Sequence, residues 1–152
     1  MTFIPATITL TGQIRLTAPI ARVFPLFSPL GEKLWVPDWN PELLYPPNID
    51  WAEGQLFRTR EGLGSTIWVV SELDLKASHV VYHRVEAERY VAQIGVRCYQ
   101  VSADVTEVNI IYRFVGLTER GNQEINAMSQ RTFEEKMERW TGWLNEQLQR
   151  PL

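Results

Sequence analysis

The stretch YVAQIGVRCYQVSADVTEVNIIYRFVG, residues 90–116, decides the fold class of this chain. Apolar and polar side chains alternate along it with the period of two that is typical of a strand with one buried face. Only the polar connection 102–104 separates its two halves, which leaves no room for a helical crossover. The stretch therefore predicts two antiparallel strands, 90–101 and 105–117.

The same period of two extends upstream to Gly54 and returns near the N-terminus. It predicts strands at 55–60, 65–74 and 79–86, and a first strand at 6–16 with a bulge at Gly12. Short polar connections join the later strands, at residues 61–64, 76–78, 87–89 and 102–104. The sequence thus predicts a six-stranded antiparallel sheet.

The remaining periodic segments predict helices. Thr17 and Pro19 mark the start of a short helix that Pro25 should kink, and a second short turn is expected at 32–35. Gly121 and Asn122 should end the sheet, and residues 123–149 then form one amphipathic helix of roughly 40 Å. Its apolar stripe contains Ile125, Met128, Phe133, Met137, Trp140, Trp143, Leu144 and Leu148.

Composition limits the classes of protein that this chain can represent. A length of 152 residues, with 45% hydrophobic and 22% charged residues, predicts one globular domain over 1–152. A net charge of −3 with scattered Lys and Arg argues against a nucleic-acid partner. No apolar run approaches the roughly 18 residues of a membrane span. The absence of a leader pattern and the single cysteine, Cys98, fit a cytoplasmic protein.

A block of small and aromatic residues follows the first predicted strand: Phe27, Ser28, Pro29, Gly31, Glu32, Trp35, Trp39 and Pro41. It resembles the first-helix and loop motif of bacterial polyketide cyclase/dehydratase-like proteins of the START-like (SRPBCC) superfamily. The similarity continues through Thr66, Trp68, Val69, Val70, Tyr112, Leu117, Met137 and Trp140. The order of elements also resembles the helix-grip fold of that superfamily.

The resemblance implies an α+β fold. A curved antiparallel sheet of about six strands would wrap around a long C-terminal helix, with two short helices after strand one. It also implies an internal cavity whose mouth is rimmed by the segment after the short helices. Trp35 and Trp39 lie in that segment, between five prolines of residues 28–47, and would form a rigid gate or wall. The alternative is that both tryptophans plug the core.

Strand parity selects the side chains that should face this cavity. If Tyr112 points inward, so do Val108, Ile110 and Phe114, and the same rule places Ile94, Val96 and Cys98 inward. Tyr82 and Arg84 are taken as inward because an arginine beside phenols can anchor a carboxylate or enolate, although Arg84 could also be solvated. The expected ligand-binding residues are Trp35, Trp39, Trp68, Tyr82, Arg84, Ile94, Val96, Tyr112, Phe133, Met137 and Trp140.

Catalytic residues cannot be assigned from the sequence. His83 is the candidate general base, with a surface strand position as the alternative. Lys136 lies on the apolar stripe of the long helix and either snorkels to solvent or enters the cavity with a lowered pKa. Two histidines four residues apart in a strand cannot share a metal ion, and nucleophile and nucleotide motifs are missing, so neither metal nor cofactor is expected.

Three functions remain open. The first is binding of a small hydrophobic or aromatic, polyketide-like or lipid-like molecule, and the second is a cyclase or dehydratase that acts on such a molecule. The third is a co-chaperone-like protein-interaction module. Neither nucleic acid nor stable membrane insertion is expected, and the chain could be a monomer or a homodimer.

Overall fold

A computed structural model describes residues 2–61 and 64–151, and in these residues seven strands form one antiparallel sheet. The strands are β1 Thr7–Leu16, β2 Glu42–Tyr45, β3 Leu56–Glu61, β4 Gly64–Asp74, β5 His79–Glu86, β6 Tyr90–Ser102 and β7 Val105–Gly116. Their order across the sheet is β1-β7-β6-β5-β4-β3-β2. The antiparallel meander is confirmed, although residues 62 and 63 of the predicted connection 61–64 lie outside the described residues.

Strand β2 is the strand that the sequence did not predict. It is only four residues long, it follows Pro41 and ends before Pro46, and it pairs with β3 at the edge of the sheet. Prolines are tolerated there because an edge strand leaves one side of its backbone unpaired. Two ionic contacts support the pairing, since Glu42 lies 3.2 Å from Arg58 and 3.7 Å from Arg60.

The two short helical segments after β1 are confirmed. Helix α1, Ile20–Val23, passes directly into a 3-10 turn over Phe24–Phe27. Pro25 lies in the first turn of that segment, where its missing N–H breaks the α-helical hydrogen-bond pattern. A second 3-10 turn covers Gly31–Leu34, and it carries the segment that borders the cavity.

The prediction of one helix over 123–149 is wrong, because the segment forms two helices. Helix α2 covers Glu119–Asn126 and helix α3 covers Gln130–Leu148. The side chain of Thr118 caps α2 and that of Ser129 caps α3 by accepting a backbone hydrogen bond. The apolar stripe continues across the break, so periodicity alone did not reveal it.

Gly121 does not end the sheet but lies in the first turn of α2. A Cβ at this position would lie 1.6 Å from the carbonyl oxygen of Arg89, in the connection between β5 and β6. The glycine therefore allows α2 to dock closely on that connection. Strand β7 ends earlier, at Gly116.

The predicted bulge at Gly12 is also wrong. Strands β1 and β7 keep an unbroken register from Thr7 to Leu16, with Gly12 opposite Ile110. A Cβ on Gly12 would lie 2.6 Å from Cγ of Met137, so the missing side chain lets α3 approach the sheet. The glycine serves a close approach between two elements and does not bend its strand.

Helix α3 lies on the inner face of the sheet, and the predicted inward side chains are buried there. Leu10, Tyr112, Ile94, Tyr82 and Val70 form one row across five paired strands, and each is at most 5% exposed. This confirms the predicted helix-grip architecture. Among the helices that the structure describes, none is long and apolar enough to cross a membrane.

Candidate functional site

A cavity of about 270 Å³ lies between the inner face of the sheet and helix α3. Side chains from the 3-10 turn at 31–34, from the segment 36–39, from strands β3 to β7 and from α3 line it. The lining residues are Glu32, Val36, Trp39, Phe57, Trp68, Tyr82, Arg84, Ile94, Val96, Tyr112, Lys136, Arg139, Trp140 and Trp143. The volume is close to the lower end of the range of small-molecule sites, roughly 300 to 1,000 Å³.

Three aromatic rings form one wall of the cavity. Phe57 and Trp68 stack with ring centroids 5.5 Å apart and planes within 8° of parallel. Trp39 meets both rings edge-on, with centroids 6.1 Å from Phe57 and 5.3 Å from Trp68. Because each ring is braced by the other two, the wall is rigid.

Hydrogen bonds fix the two tryptophans of this wall. The indole N–H of Trp39 donates to the carbonyl of Pro29 at 2.7 Å, and that of Trp68 donates to Thr59 Oγ1 at 2.9 Å. Asp38, directly before Trp39, adopts a left-handed conformation with φ of 60°, which turns the chain at this point. The indole N–H groups of both tryptophans are therefore satisfied by the protein.

The mouth of the cavity lies between the segment 36–39 and the second half of α3. Val36, Trp39 and Trp143 are half-buried and Arg139 is exposed, whereas the deeper lining residues of β6 and β7 are buried. A ligand would enter between these two elements. This position agrees with the mouth expected from the proline-rich segment.

Trp35 plugs the core and does not line the cavity. It is 6% exposed, its indole N–H donates to the carbonyl of Leu26 at 2.7 Å, and it meets Phe27 and Trp140 edge-on at 5.6 and 5.3 Å. Of the two tryptophans predicted as a gate, only Trp39 lies in the lining. The difference arises because Trp35 ends a helical turn directed at the core, whereas Trp39 follows the turn at Asp38.

Phe133 and Met137 are likewise packed in the core, outside the cavity lining. Both side chains lie against Gly12 of β1, and Phe133 also meets Tyr112 with ring centroids 5.2 Å apart. The prediction that they line the cavity is wrong because the close approach at Gly12 fills this part of the interface. The apolar stripe of α3 covers both the packed and the open region.

Arg84 reaches the inner side of the sheet with a side chain that is 17% exposed. Its guanidinium carbon lies 5.5 Å from the Trp68 ring centroid, 5.7 Å from Tyr90 and 5.8 Å from Phe114. Its Nη2 donates to the Tyr90 hydroxyl at 3.4 Å and its Nε lies 3.7 Å from Glu86. Of the two positions that the sequence left open, the cavity is the one that the structure shows.

Lys136 enters the cavity as well. Its ammonium nitrogen lies 4.7 Å from the Tyr112 ring centroid and 5.4 Å from the Trp140 ring centroid. Burial and the positive charge of Arg84 lower the pKa of Lys136 to about 8, although the negative charge of Glu32 acts to raise it. Among the described residues, Lys136 belongs to no ion pair within 4.0 Å.

Glu32 is the acidic group of the cavity. It belongs to the 3-10 turn at 31–34, and it lines the cavity. Burial raises the pKa of Glu32 to about 8, although the charge of Lys136 opposes this shift. At neutral pH the site therefore holds a protonated carboxyl group and a lysine that is mostly charged.

Two buried tyrosines, Tyr82 and Tyr112, line the cavity. Tyr82 donates to the carbonyl of Phe27 at 2.6 Å, which ties β5 to the short helical segment. Burial raises the pKa of both Tyr82 and Tyr112 well above the usual value for a phenol. Both therefore stay neutral and act as hydrogen-bonding groups.

His83 and Cys98 take no part in the cavity lining. His83 lies on the outer face of the sheet, where its Nδ1 contacts the hydroxyl of Ser71. Cys98 is a buried free thiol whose pKa burial raises to about 12. In the described part of the chain, no cluster of three or more His, Cys, Asp or Glu side chains could hold a metal ion.

A second, larger depression of about 640 Å³ lies mainly on the outer face of the sheet. Gly95, Arg97 and Ile111 line it, and Gln130 and Glu134 from the start of α3 border it. It is wide open to solvent and lacks the aromatic walls of the inner cavity. The enclosed inner cavity is for that reason the candidate site.

Eight of the eleven residues expected to bind a ligand line the inner cavity, and their binding role stays a prediction. They are Trp39, Trp68, Tyr82, Arg84, Ile94, Val96, Tyr112 and Trp140. Sequence reasoning missed Val36, Phe57, Arg139 and Trp143, and it did not assign Glu32 to the cavity. The parity rule could have found Phe57, because Gln55 directly before β3 and Phe57 and Thr59 within it are buried and alternate with more exposed residues.

No protein-family model and no curated protein matches this chain. Solved structures do match, and truncated norcoclaurine synthase from Thalictrum flavum superimposes with a TM-score of 0.70 at 8% identity, over 100% of this chain and 99% of that one. This chain has the helix-grip fold. Two further matches agree with that assignment. Ara h 8.0201 superimposes with a TM-score of 0.69 at 10% identity, over 95% of this chain and 100% of that one. Mll3558 from Rhizobium loti superimposes with a TM-score of 0.65 at 14% identity, over 95% of this chain and 99% of that one.

Proposed function

We propose that this protein binds a small hydrophobic or aromatic molecule, polyketide-like or lipid-like, in the cavity under helix α3. The observation that carries the proposal is a cavity of about 270 Å³ walled by the stacked and edge-on rings of Trp39, Phe57 and Trp68. The opposite side is formed by Tyr112 and Trp140. Such walls bury most of a one- or two-ring compound without requiring a polar group at every contact.

The fold supports the same proposal by analogy. A structure of norcoclaurine synthase from Thalictrum flavum, which matches this chain with a TM-score of 0.68 at 9% identity, is in complex with dopamine and hydroxybenzaldehyde. The analogy concerns the class of ligand only, because functions differ widely among proteins that share a fold. The side chains named above carry the argument.

The proposal is tested first by native mass spectrometry of the purified protein, where a co-purified mass would identify the ligand class. Binding of 2-naphthalenemethanol, a neutral two-ring probe, is then measured by calorimetry. Trp39→Ala should weaken binding by about 1 to 3 kcal/mol because it removes one wall of the cavity. His83→Gln is the matched control on the outer face and should leave the affinity unchanged.

Two results would overturn the proposal. One is the absence of a co-purified compound together with no binding of either 2-naphthalenemethanol or its anionic analogue 2-naphthoate. The other is equal affinity of the wild type and Trp39→Ala, which would place the bound compound elsewhere and make Trp39 a structural residue.

A second candidate function is acid–base catalysis on such a ligand, as in a cyclase or dehydratase. It is favoured by Glu32 and Lys136, which line one cavity with pKa values that burial brings to about 8. Under this hypothesis Glu32→Gln should bind a co-purified compound but no longer transform it. A wild-type protein that leaves the compound unchanged would exclude catalysis on it and favour a carrier.

A further inference from the structure

Charged side chains line the cavity in addition to the aromatic rings. Three cationic side chains line it, Arg84, Lys136 and Arg139, and one carboxyl group, Glu32. Glu86 contacts Arg84 from beside the cavity, so counting it gives three cations against two carboxyl groups. The site is thus positive even with both carboxyl groups ionised, in a chain whose net charge is −3.

Arg84 is held in position, but not all of its N–H donors have a hydrogen-bond partner in the described part of the chain. A guanidinium group has five N–H donors, and the contacts of Arg84 with Tyr90 and Glu86 occupy only one side of it. Its Nε is buried without a hydrogen-bond partner in the described part of the chain. Glu86 is also shared, because Arg89 lies 3.2 Å from its second carboxylate oxygen. Arg84 therefore keeps both charge and donors for a further partner.

Lys136 presents the second donor, from the opposite side of the cavity. Aromatic rings surround its ammonium group, and no carboxylate lies within ion-pair distance in the described residues. Ring faces stabilise a cation but satisfy none of its three N–H donors as a carboxylate would. Two cations that line one cavity repel each other unless an anion lies between them.

We propose that the ligand is an aromatic carboxylate of one or two rings, whose carboxylate contacts Arg84 and Lys136 and whose rings lie against Trp39, Trp68 and Trp140. This inference rests on the proposed binding function and adds the charge of the ligand. The small volume and the flat ring faces favour a compact aromatic compound over a long acyl chain. Glu32 in its protonated form donates a hydrogen bond and does not repel the anion.

The test compares three probes on one protein at pH 7: 2-naphthoate, its neutral analogue 2-naphthalenemethanol, and octanoate. Calorimetry should show 2-naphthoate binding roughly tenfold to hundredfold more tightly than the neutral analogue, as expected for charge-assisted hydrogen bonds. Octanoate should bind more weakly than 2-naphthoate. The ratio of the two naphthalene affinities is the quantity that reports on charge.

Lys136→Met should reduce this ratio to about one to threefold, while the matched control Arg97→Gln on the outer face should preserve it. Methionine is similar in length to lysine and carries no charge, so this variant is expected to fold.

The outcomes separate the two proposals. Equal or tighter binding of the neutral analogue would overturn the inference and leave the proposed function intact, whereas no binding of either naphthalene compound would overturn both. Octanoate binding as tightly as 2-naphthoate would contradict the aromatic class. A ratio unchanged by Lys136→Met would contradict the assigned contact.

Discussion

The face of helix α3 that covers the sheet has two halves, which lie side by side along the helix. In what we term the packed half, Phe133 and Met137 lie directly against Gly12, and Phe133 also contacts Tyr112. In the open half, Lys136 and Trp140 face the cavity, whose far wall is formed by rings that brace one another. One stripe of one helix therefore contributes both to the core and to the lining of the cavity.

The two halves make different contributions to the stability of the fold. In the packed half, close contacts bury apolar surface and favour folding. At the open half, Glu32 and Lys136 are partly removed from water and have no direct ionic partner among the described residues, which costs folding free energy. Removal of an apolar side chain from the packed half should therefore lower stability strongly, whereas removal of the ionisable group of Glu32 at the open half should raise it.

The largest effect is expected from Phe133→Ala in the packed half. Removing this buried ring should lower the free energy of unfolding by about 3 to 5 kcal/mol, because the surrounding core cannot collapse fully. Trp143→Ala, on the same helix but half-buried at the mouth of the cavity, should cost less than about half as much. Urea unfolding compares the two, and equal losses would remove the distinction between the halves.

Glu32→Gln in the open half should raise stability. The carboxyl group has a pKa of about 8 in the folded protein, and a glutamate in the unfolded chain has its ordinary pKa of 4.5, so above pH 4.5 the unfolded state loses a proton that the folded state keeps. Stability of the wild type therefore falls as pH rises from about 4.5 to 8.

At pH 7 the Gln variant should be more stable by on the order of 2 to 3 kcal/mol, and at pH 4 the gain should vanish. Urea unfolding at the two pH values measures both. A destabilised variant at pH 7 would instead show that the ionised carboxylate supports the fold.

The smallest effect is expected from Gly12→Ala, which should lower stability by about 1 to 3 kcal/mol by forcing Met137 and α3 away from β1. Gly142→Ala is the matched control, because a Cβ there meets nothing within 4 Å. In a helix interior this change should raise stability by up to about 1 kcal/mol. Thermal unfolding of both variants gives the sign of each change in stability. Higher stability of both variants would show that α3 does not approach β1 closely at Gly12.

Much of the fold could be predicted from the sequence because its signals are local. Period-two alternation located six of the strands and gave the inward side of Tyr112 and Ile94 correctly. The helix break at 127–129 was hidden because the apolar stripe continues through it, although Ser129 is a helix-capping residue type. Strand β2 was missed because prolines flank it and its pairing is non-local.

The site was less predictable because its division into a packed and an open part depends on distances between elements. Phe133 and Lys136 lie on the same stripe, but only the close approach at Gly12 determines which of them reaches the cavity. Glu32 lies more than a hundred residues from Lys136 in sequence, so the sequence carries no local signal that pairs them. Its raised pKa follows from burial, which only the tertiary structure provides.

The central claim, that the open half is a ligand site and the packed half is core, is tested most directly by an NMR titration with 2-naphthoate. The account predicts amide and indole shifts at Trp39, Trp68 and Trp140, and little change at Gly12 or on the outer face near His83. Shifts confined to the outer face, or spread evenly over both halves of α3, would contradict it.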